Sequence, residues 1–248
     1  MKSTQKITRK FDSLILLAVF VGFWSLLNAT YGSNAIASPV QAIERLVRLA
    51  LHGNLLGHMA ETFSAYAYAL VLAIIGGTLA GMLLGLHKMA GDVGEPILVS
   101  IYSLPKVTLY PVVLLIFGLG MSAKVAFGFL HGVLPIAIFT IGAIRQIPKI
   151  YLKASQTLQV PHQKYIRYVV VPATLPEYFS GVKIGVSLTL LGVLIGEMFG
   201  SQRGLGYLLM KGIELNDTSL MAAVALVLLT VAILIGVSLQ RIDHHLRR

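Results

Sequence analysis

Six long runs of apolar residues constrain what this chain can fold into. Each run holds about 20 mostly apolar residues, the length that an α-helix needs to cross roughly 30 Å of hydrocarbon. The runs cover residues 13–30, 65–86, 97–119, 123–144, 178–199 and 220–239. Because backbone groups in lipid must be satisfied within the segment, each run predicts a transmembrane helix. Pro105, Lys106 and Pro111 interrupt the third run and predict a bent or shortened helix there.

The composition agrees with a membrane protein and argues against several chemistries. Of the 248 residues, 56% are hydrophobic and 12% are charged, about half the charged fraction of a typical soluble domain. Cysteine is absent, the seven histidines are scattered, and neither a Gly-rich phosphate loop nor an HExxH pattern occurs. We therefore expect an all-α integral membrane protein with about six transmembrane helices and no metal or cofactor bound to this chain.

The distribution of Lys and Arg predicts the orientation in the membrane. The basic residues that give the net charge of +10 stand at the ends of the apolar runs. No helix face combines basic residues with interleaved aromatic ones, so the charge does not indicate nucleic-acid binding. With the N-terminus inside, fourteen basic residues lie in cytoplasmic segments and five in external ones, which places both termini in the cytoplasm. The external five are Arg45, Arg48, Lys124, Arg203 and Lys211, whereas Lys106 lies inside a run and is not counted.

This orientation divides the chain into a cytoplasmic tail (1–12), a transmembrane domain (13–240) and a basic cytoplasmic tail (241–248). The first run has a second interpretation, because its basic start and the later Ala35-Ile36-Ala37 resemble a cleavable signal peptide. Cleavage would leave five spans. Between the first two runs, residues 39–56 alternate apolar and charged residues at helical spacing, which predicts an amphipathic helix in the outer interface. That helix is either a simple connector or a docking element.

Glycine recurs at every fourth residue in several runs. In lipid, such small-residue faces let helix backbones approach closely, so the pattern predicts a compact bundle. The predicted packing residues are Gly77, Gly81, Gly85, Gly192 and Gly196, and similar spacings join Gly128 to Gly132 and Gly181 to Gly185.

The connection after the fourth run, residues 147–177, is about thirty residues long, although helix connections in bundles usually have two to eight residues. Apolar residues recur in it at helical spacing among basic and polar ones, and Pro161 divides it. The pattern predicts two short amphipathic helices on the inner membrane face. A loop of this kind favours the docking of a partner protein, with binding to lipid alone as the alternative.

This loop resembles the signature of permease subunits of binding-protein-dependent ABC importers. That signature reads E-A-A, three residues, G, nine residues and I-x-L-P. Without gaps, it falls on Lys153-Ala154-Ser155, Gln159 and residues 169–172 of this chain. Ala154 and Pro172 match, whereas Lys153, Ser155 and Gln159 depart from the signature. Because glycine readily adopts positive φ, glutamine at position 159 suggests a turn that is built differently.

Further motifs between about residues 38 and 245 are similar to the nitrate/sulfonate/taurine-type members of that family. They are Ser38-Pro39, residues 172–176 followed by 181–185, residues 195–198, and residues 204–207. The resemblance implies a type I ABC importer permease fold with a cytoplasmic coupling helix, in the bacterial inner membrane. The implied coupling loop comprises Lys153, Ala154, Ser155, Gln159, Pro161, Tyr165 and Pro172.

The resemblance also implies partners. They are a second permease copy, two ABC ATPase subunits and a periplasmic or lipid-anchored solute-binding protein, all acting at a lipid bilayer. ATP and Mg would bind the ATPase subunits, so this chain is expected to be no enzyme itself.

Polar residues inside the runs are candidates for the transport pathway. Glu197, near the outer end of the fifth run, is either a gate residue or a carboxylate hydrogen-bonded to a neighbouring helix or to the backbone of residues 201–204. The other candidates are Lys106, Thr108, Ser187 and Thr189. Lys106 in a pathway would attract an anion, but a lysine near the cytoplasmic end can instead reach lipid headgroups.

The predicted function is therefore that of the permease subunit of an ATP-driven importer for a small organic anion such as an aliphatic sulfonate or taurine. Nitrate, bicarbonate, a thiamine precursor and an aromatic acid are alternatives within the family. A self-sufficient secondary transporter would show internal repeats and several midplane carboxylates, and Glu197 is the one acidic candidate. An intramembrane enzyme would need paired catalytic groups, and His131 has no acidic residue near it in sequence.

Overall fold

The computed structural model of the chain describes residues 2–246, with side chains from Ile15 onward except those of Lys149, Leu152 and His162. Met1, Arg247 and Arg248, at the ends of the two predicted tails, lie outside the described residues. Residues 2–246 form α-helices, short helical turns and connections without any β-strand, which confirms the all-α prediction.

Eleven α-helices follow one another along the described part of the chain. They are α1 (Lys2–Tyr31), α2 (Pro39–His52), α3 (Leu55–Leu86), α4 (Lys88–Ser103), α5 (Tyr110–Phe117), α6 (Met121–Arg145), α7 (Lys149–Thr157), α8 (His162–Tyr165), α9 (Val171–Gly200), α10 (Leu205–Glu214) and α11 (Thr218–Leu246). A 3₁₀ turn at Lys106–Leu109 precedes α5, and a π-helical turn at Ile166–Val170 precedes α9.

Four helices of the described chain are long and apolar enough to cross a membrane. They are Leu55–Leu86, Met121–Arg145, Gln163–Gly200 and Thr218–Leu246. A fifth span is formed if α4 and the segment Lys106–Phe117 act as a pair, with a bend of 89° between them. The first predicted run lies in α1, whose described apolar part, Ile15–Tyr31, is shorter than the others. Each predicted run is thus helical, and the third is bent as its prolines predict.

The second helix was predicted to start at residue 65, whereas α3 starts ten residues earlier, at Leu55. The first turns of α3 carry His58, Glu61 and Thr62, whose polarity hides the helix from a search for apolar runs. The His58 Nδ1 accepts a hydrogen bond from the Gly204 N–H at 3.1 Å, and the Glu61 and Thr62 side chains bond to other helices, as described below.

Helix α6 forms the centre of the bundle, between α3 and α9. Its side chains Phe127, Ile136 and Ile141 are fully buried. All five predicted packing glycines face α6: a Cβ at Gly77 would overlap the carbonyl oxygen of Val133, and one at Gly192 that of Phe127. Backbones in such close contact gain dispersion energy along the whole interface, which is the main attraction between helices in lipid.

The bundle has two ends, which we name after the short helices found there. At the α7 end, the last turns of α3 and α6 meet α7, and Arg145 pairs with Asp92 at 2.7 Å and with Glu95 at 2.6 Å. At the α2 end, the first turns of α3 meet α10 and Lys124 in the first turn of α6, and Arg45 of α2 pairs with Asp217 at 2.8 Å.

The predicted second short helix of the loop is not a separate element. Residues 163–200 form one long helix, in which α8 and the π-helical turn lead directly into α9. The widened turn ends just before Pro172, which cannot donate a backbone hydrogen bond to the carbonyl of Tyr168. The proline is therefore accommodated without breaking the helix, and only α7 stands alone.

Candidate functional site

At the α2 end, a buried carboxylate joins three helices. Glu197 on α9 is fully buried, and its Oε2 accepts hydrogen bonds from the Thr62 hydroxyl at 2.8 Å and from the Gly206 N–H at 2.9 Å. Thr62 Oγ1 in turn accepts a bond from the Leu205 N–H at 2.8 Å. The chain of bonds links α3, α9 and the first turn of α10, whose N–H groups have no partner within their own helix.

A buried lysine lies beside this carboxylate. Lys124 on α6 is 1% exposed, its Nζ lies 2.7 Å from Glu61 Oε1, and it lies 4.0 Å from Glu197 Oε1. The predicted topology places Lys124 in an external segment, whereas its side chain is buried in the bundle. Burying a charge without a partner is costly, and the carboxylates of Glu61 and Glu197 stabilise this ammonium. We name Glu61, Thr62, Lys124 and Glu197 the polar cluster.

The motif at residues 204–207 closes over the polar cluster. Gly204 has φ +121°, and a Cβ there would collide with the Glu197 carboxylate. A Cβ at Gly206 would collide with the Leu194 carbonyl oxygen. Glycine is thus required at both positions, at the first for its backbone conformation as well as for space.

An open cavity of about 590 Å³ adjoins the polar cluster at the α2 end. We name it the mouth cavity. Its polar lining consists of Glu61, Lys124, Ser201, Gln202 and Arg203, together with the backbone at Gly120. Its volume lies in the range of pockets for small ligands, about 300–1,000 Å³.

The other predicted pathway residues do not join Glu197. Lys106 is 9% exposed and lies at the bend, where its Nζ donates to the Tyr102 carbonyl at 2.9 Å and lies 4.5 Å from the Tyr102 ring centre. It therefore caps the end of α4, where a cation is favoured by the helix dipole. Thr108 donates to the Pro105 carbonyl within the same turn, and its side chain is exposed.

Ser187 and Thr189 lie on different faces of α9. Ser187 is exposed and donates to the Lys183 carbonyl one turn earlier, while Thr189 is fully buried against Gly132 of α6. The five candidates therefore form no common site within this chain, and their pathway roles stay predictions.

Three members of the polar cluster were not among the predicted site residues: Glu61, Thr62 and Lys124. The first two precede the apolar run that marked the second span, and Lys124 stands at the edge of the fourth. A weak signal was present, because charged residues at the edges of two runs require partners if those edges are buried. Which edges meet depends on the packing of α3, α6 and α9, which spacing along the chain does not specify.

At the α7 end, the residues of the predicted coupling loop divide between surface and interior. Lys153, Ala154 and Pro161 are exposed, and Pro172 lies in the first turn of α9. Ser155 is 9% exposed and, with Gln159 and Tyr165, lines a cavity of about 600 Å³ under α7.

The turn after α7 corrects one expectation. Gln159 has φ +48°, the left-handed conformation that glycine favours, and the Val160 N–H bonds to the Ser155 carbonyl at 2.9 Å. The backbone of the turn therefore has the conformation expected for glycine at this position, and the prediction of a different turn is wrong. The glutamine adopts this conformation at the energetic cost that a side chain carries in the left-handed region.

Helix α7 also leaves apolar side chains uncovered. Ile150 is 69% exposed, Leu158 is 75% exposed and Tyr151 is 49% exposed. Lys153 on the same helix is also exposed. Contiguous exposed apolar residues on such an element are typical of an interaction surface.

A bundle of long apolar helices with a tight glycine-lined core and a projecting amphipathic helix defines a multi-pass membrane protein. The comparison with family models identifies its group. Residues 73–248 match the binding-protein-dependent transport system inner membrane component, and the chain belongs to this family.

Relatives and solved structures agree with this assignment. A probable ABC transporter permease protein of Haemophilus influenzae is 28% identical over 239 residues, 95% of this chain and 96% of the relative. The taurine transport system permease protein of Escherichia coli is 24% identical over 213 residues, 84% of this chain and 78% of the relative. An inward-facing structure of the MetNI methionine ABC transporter has the same fold, with a TM-score of 0.68 and 20% identity over 80% of this chain and 99% of the matched chain.

Proposed function

We propose that this chain is the permease subunit of an ATP-driven importer for a small organic anion, such as an aliphatic sulfonate or taurine. Family membership supports the transport class, and relatives include permease proteins for taurine, aliphatic sulfonates, nitrate and formylaminopyrimidine. The lining of the mouth cavity by Lys124 and Arg203 supports an anion. Nitrate, bicarbonate, a thiamine precursor and an aromatic acid are the alternatives.

The observation that carries the proposal is the uncovered face of α7. Ile150 on α7 and Leu158 directly after it expose most of their surface, and a helix of nine residues is too short to be stable without tertiary contacts. An ABC ATPase subunit that binds ATP and Mg would cover this face. In the proposed assembly two permease copies each present one α7 to one ATPase subunit.

The proposed orientation follows from this docking. The α7 end and both termini face the cytoplasm, and the α2 end faces the solute-binding protein outside. Glu197 would then lie on the outer side, where a gate role remains part of the proposal. Uptake by a well-expressed Glu197→Gln variant tests that role, since wild-type rates would leave Glu197 with its hydrogen bonds alone.

Co-purification with the ABC ATPase from the same gene cluster tests the main proposal. The chain alone is expected to hydrolyse no ATP and to capture the ATPase in detergent. Lys153→Glu on α7 is expected to weaken capture, whereas Lys211→Glu on α10, an equal charge reversal at the other end, leaves it intact. Equal capture by both variants would argue against docking on α7, and uptake by the chain alone without ATP would favour a secondary transporter.

A further inference from the structure

The polar cluster contains an ion pair whose two members differ sharply in burial. The Lys124 side chain is 1% exposed, whereas the Glu61 side chain is 28% exposed and lines the mouth cavity. Removing Glu61 from the pair would return its carboxylate to water at little cost, because it is already partly hydrated. Moving Lys124 would require its ammonium to leave the bundle, so the lysine is the fixed member of the pair.

Lys124 also has a second carboxylate that does not depend on Glu61. Glu197 Oε1 lies 4.0 Å from Lys124 Nζ and has no hydrogen-bond partner among the described residues. The ammonium therefore stays compensated when Glu61 turns away, and it can still donate to an oxygen on the side of the cavity. Of the two carboxylates near Lys124, only Glu61 lines the mouth cavity.

Two further features make the cavity favourable for an anion once Glu61 has turned away. The Arg203 side chain lines it, is exposed, and makes no ion pair within the described part of the chain. The cavity also borders the start of the 25-residue helix α6, where Gly120 has φ +116° and provides no side-chain cap. The first N–H groups of α6 therefore lack side-chain acceptors, and they carry the positive end of the helix dipole.

We infer that the mouth cavity is a binding site for a small monovalent oxyanion, a sulfonate or carboxylate, and that the Glu61 side chain occupies this site until the anion replaces it on Lys124. The Glu61 carboxylate has the same charge and donor requirements as such a ligand. Arg203 and the start of α6 would hold the remaining oxygens. This inference rests on the proposed import of an organic anion and assigns where the anion first binds.

Binding of trifluoromethanesulfonate, a monovalent sulfonate, tests the inference directly. The probe is titrated against the full chain in non-ionic detergent and followed by ¹⁹F NMR, without any ATPase. Glu61→Gln is expected to bind about fivefold more tightly, since it removes a competing, partly exposed ion pair. Arg203→Gln is expected to bind about fivefold more weakly, through the loss of one exposed charge. Lys124→Arg is expected to retain binding.

Matched controls separate the site from general charge effects. Glu95→Gln removes a carboxylate partner of Arg145 at the α7 end, and Lys211→Gln removes an exposed charge from α10; both are expected to bind as wild type. Binding unchanged or weakened in Glu61→Gln, or strengthened equally in Glu95→Gln, would overturn the inference. Because the assay needs no ATPase, this failure is distinct from a failure of ATPase capture, which concerns the proposed function.

Discussion

Thr62 and Glu197 stand 135 residues apart in sequence, and their side chains are joined by a buried hydrogen bond of 2.8 Å. The same hydroxyl accepts the Leu205 N–H, so a single side chain links α3 to both α9 and α10. Replacing this buried hydroxyl by an apolar group of equal size would leave the Leu205 N–H unpaired and remove one of the two donors to Glu197 Oε2.

Thr62→Val is therefore expected to destabilise the bundle, although it preserves the shape of the side chain. The Leu205 N–H would lose its acceptor, at a cost of about 1–3 kcal/mol for an unpaired buried group, and the Glu197 carboxylate would lose the hydroxyl donor while keeping the Gly206 N–H. Thermal unfolding in detergent measures the loss. Thr108→Val is the control, because that exposed hydroxyl bonds only to the Pro105 carbonyl in its own turn. Equal melting temperatures for the two variants would show that the bond contributes nothing.

The sequence was sufficient to predict the long apolar helices, because the signal of each apolar run lies within the run itself. The polar cluster was not predictable in the same way. Glu61 and Lys124 come from two helices, and their distance depends on how α3 docks on α6. Glu197 was expected to bond either to a neighbouring helix or to the backbone of residues 201–204. Its hydrogen bond from Thr62 of α3 confirms a neighbouring helix, which the sequence did not identify, and its other donor is the Gly206 N–H.

The turn after α7 shows a different limit. A departure from a family motif at Gln159 suggested a different backbone, yet the left-handed conformation is retained. Backbone hydrogen bonds and the following Pro161 impose the turn, and the side chain tolerates it. A family motif therefore indicates the residue that best suits a backbone conformation. A less suitable residue can adopt the same conformation at a modest cost in free energy.

Gln159→Gly is expected to keep the turn and to stabilise the isolated chain by up to about 1 kcal/mol, through relief of the left-handed penalty. Gln159→Val is expected to destabilise it, because a β-branched residue at positive φ is strained. The melting temperatures of the two variants in detergent should lie on opposite sides of wild type. A glycine variant less stable than the valine variant would contradict the observed conformation.

The proposed orientation can be tested by labelling single introduced cysteines, because the chain has no cysteine of its own. A single cysteine in Lys164→Cys, at an exposed position of α8, is expected to react with a membrane-impermeant maleimide only after the cells are opened. Lys211→Cys on α10 is expected to react in intact cells, and it is the matched control at the opposite end. Reaction of Lys164→Cys in intact cells would invert the topology and remove the proposed docking of an ATPase on α7.

Asp217 connects α2 to the start of α11, and the stability of this contact depends on pH. Burial alone would raise the pKa of Asp217, but hydrogen bonds from Ser219 and the Leu220 N–H, together with the Arg45 guanidinium, hold the pKa below its ordinary value. A carboxyl whose pKa is lowered by folding stabilises the folded state above its unfolded pKa, about 3.9, and loses that contribution as the pH falls through the folded value.

Asp217→Asn is accordingly expected to lower stability by roughly 0.5–1 kcal/mol at pH 7, because the amide keeps the cap of α11 but loses the charge opposite Arg45. The difference from wild type should shrink as the pH falls below about 4, where the wild-type carboxyl also becomes neutral. Thermal unfolding at several pH values measures it. Asp92→Asn is the control, since Arg145 retains Glu95 as a partner at 2.6 Å. A difference that stays constant from pH 7 to below pH 4 would mean that the Asp217 charge does not hold α2 to α11.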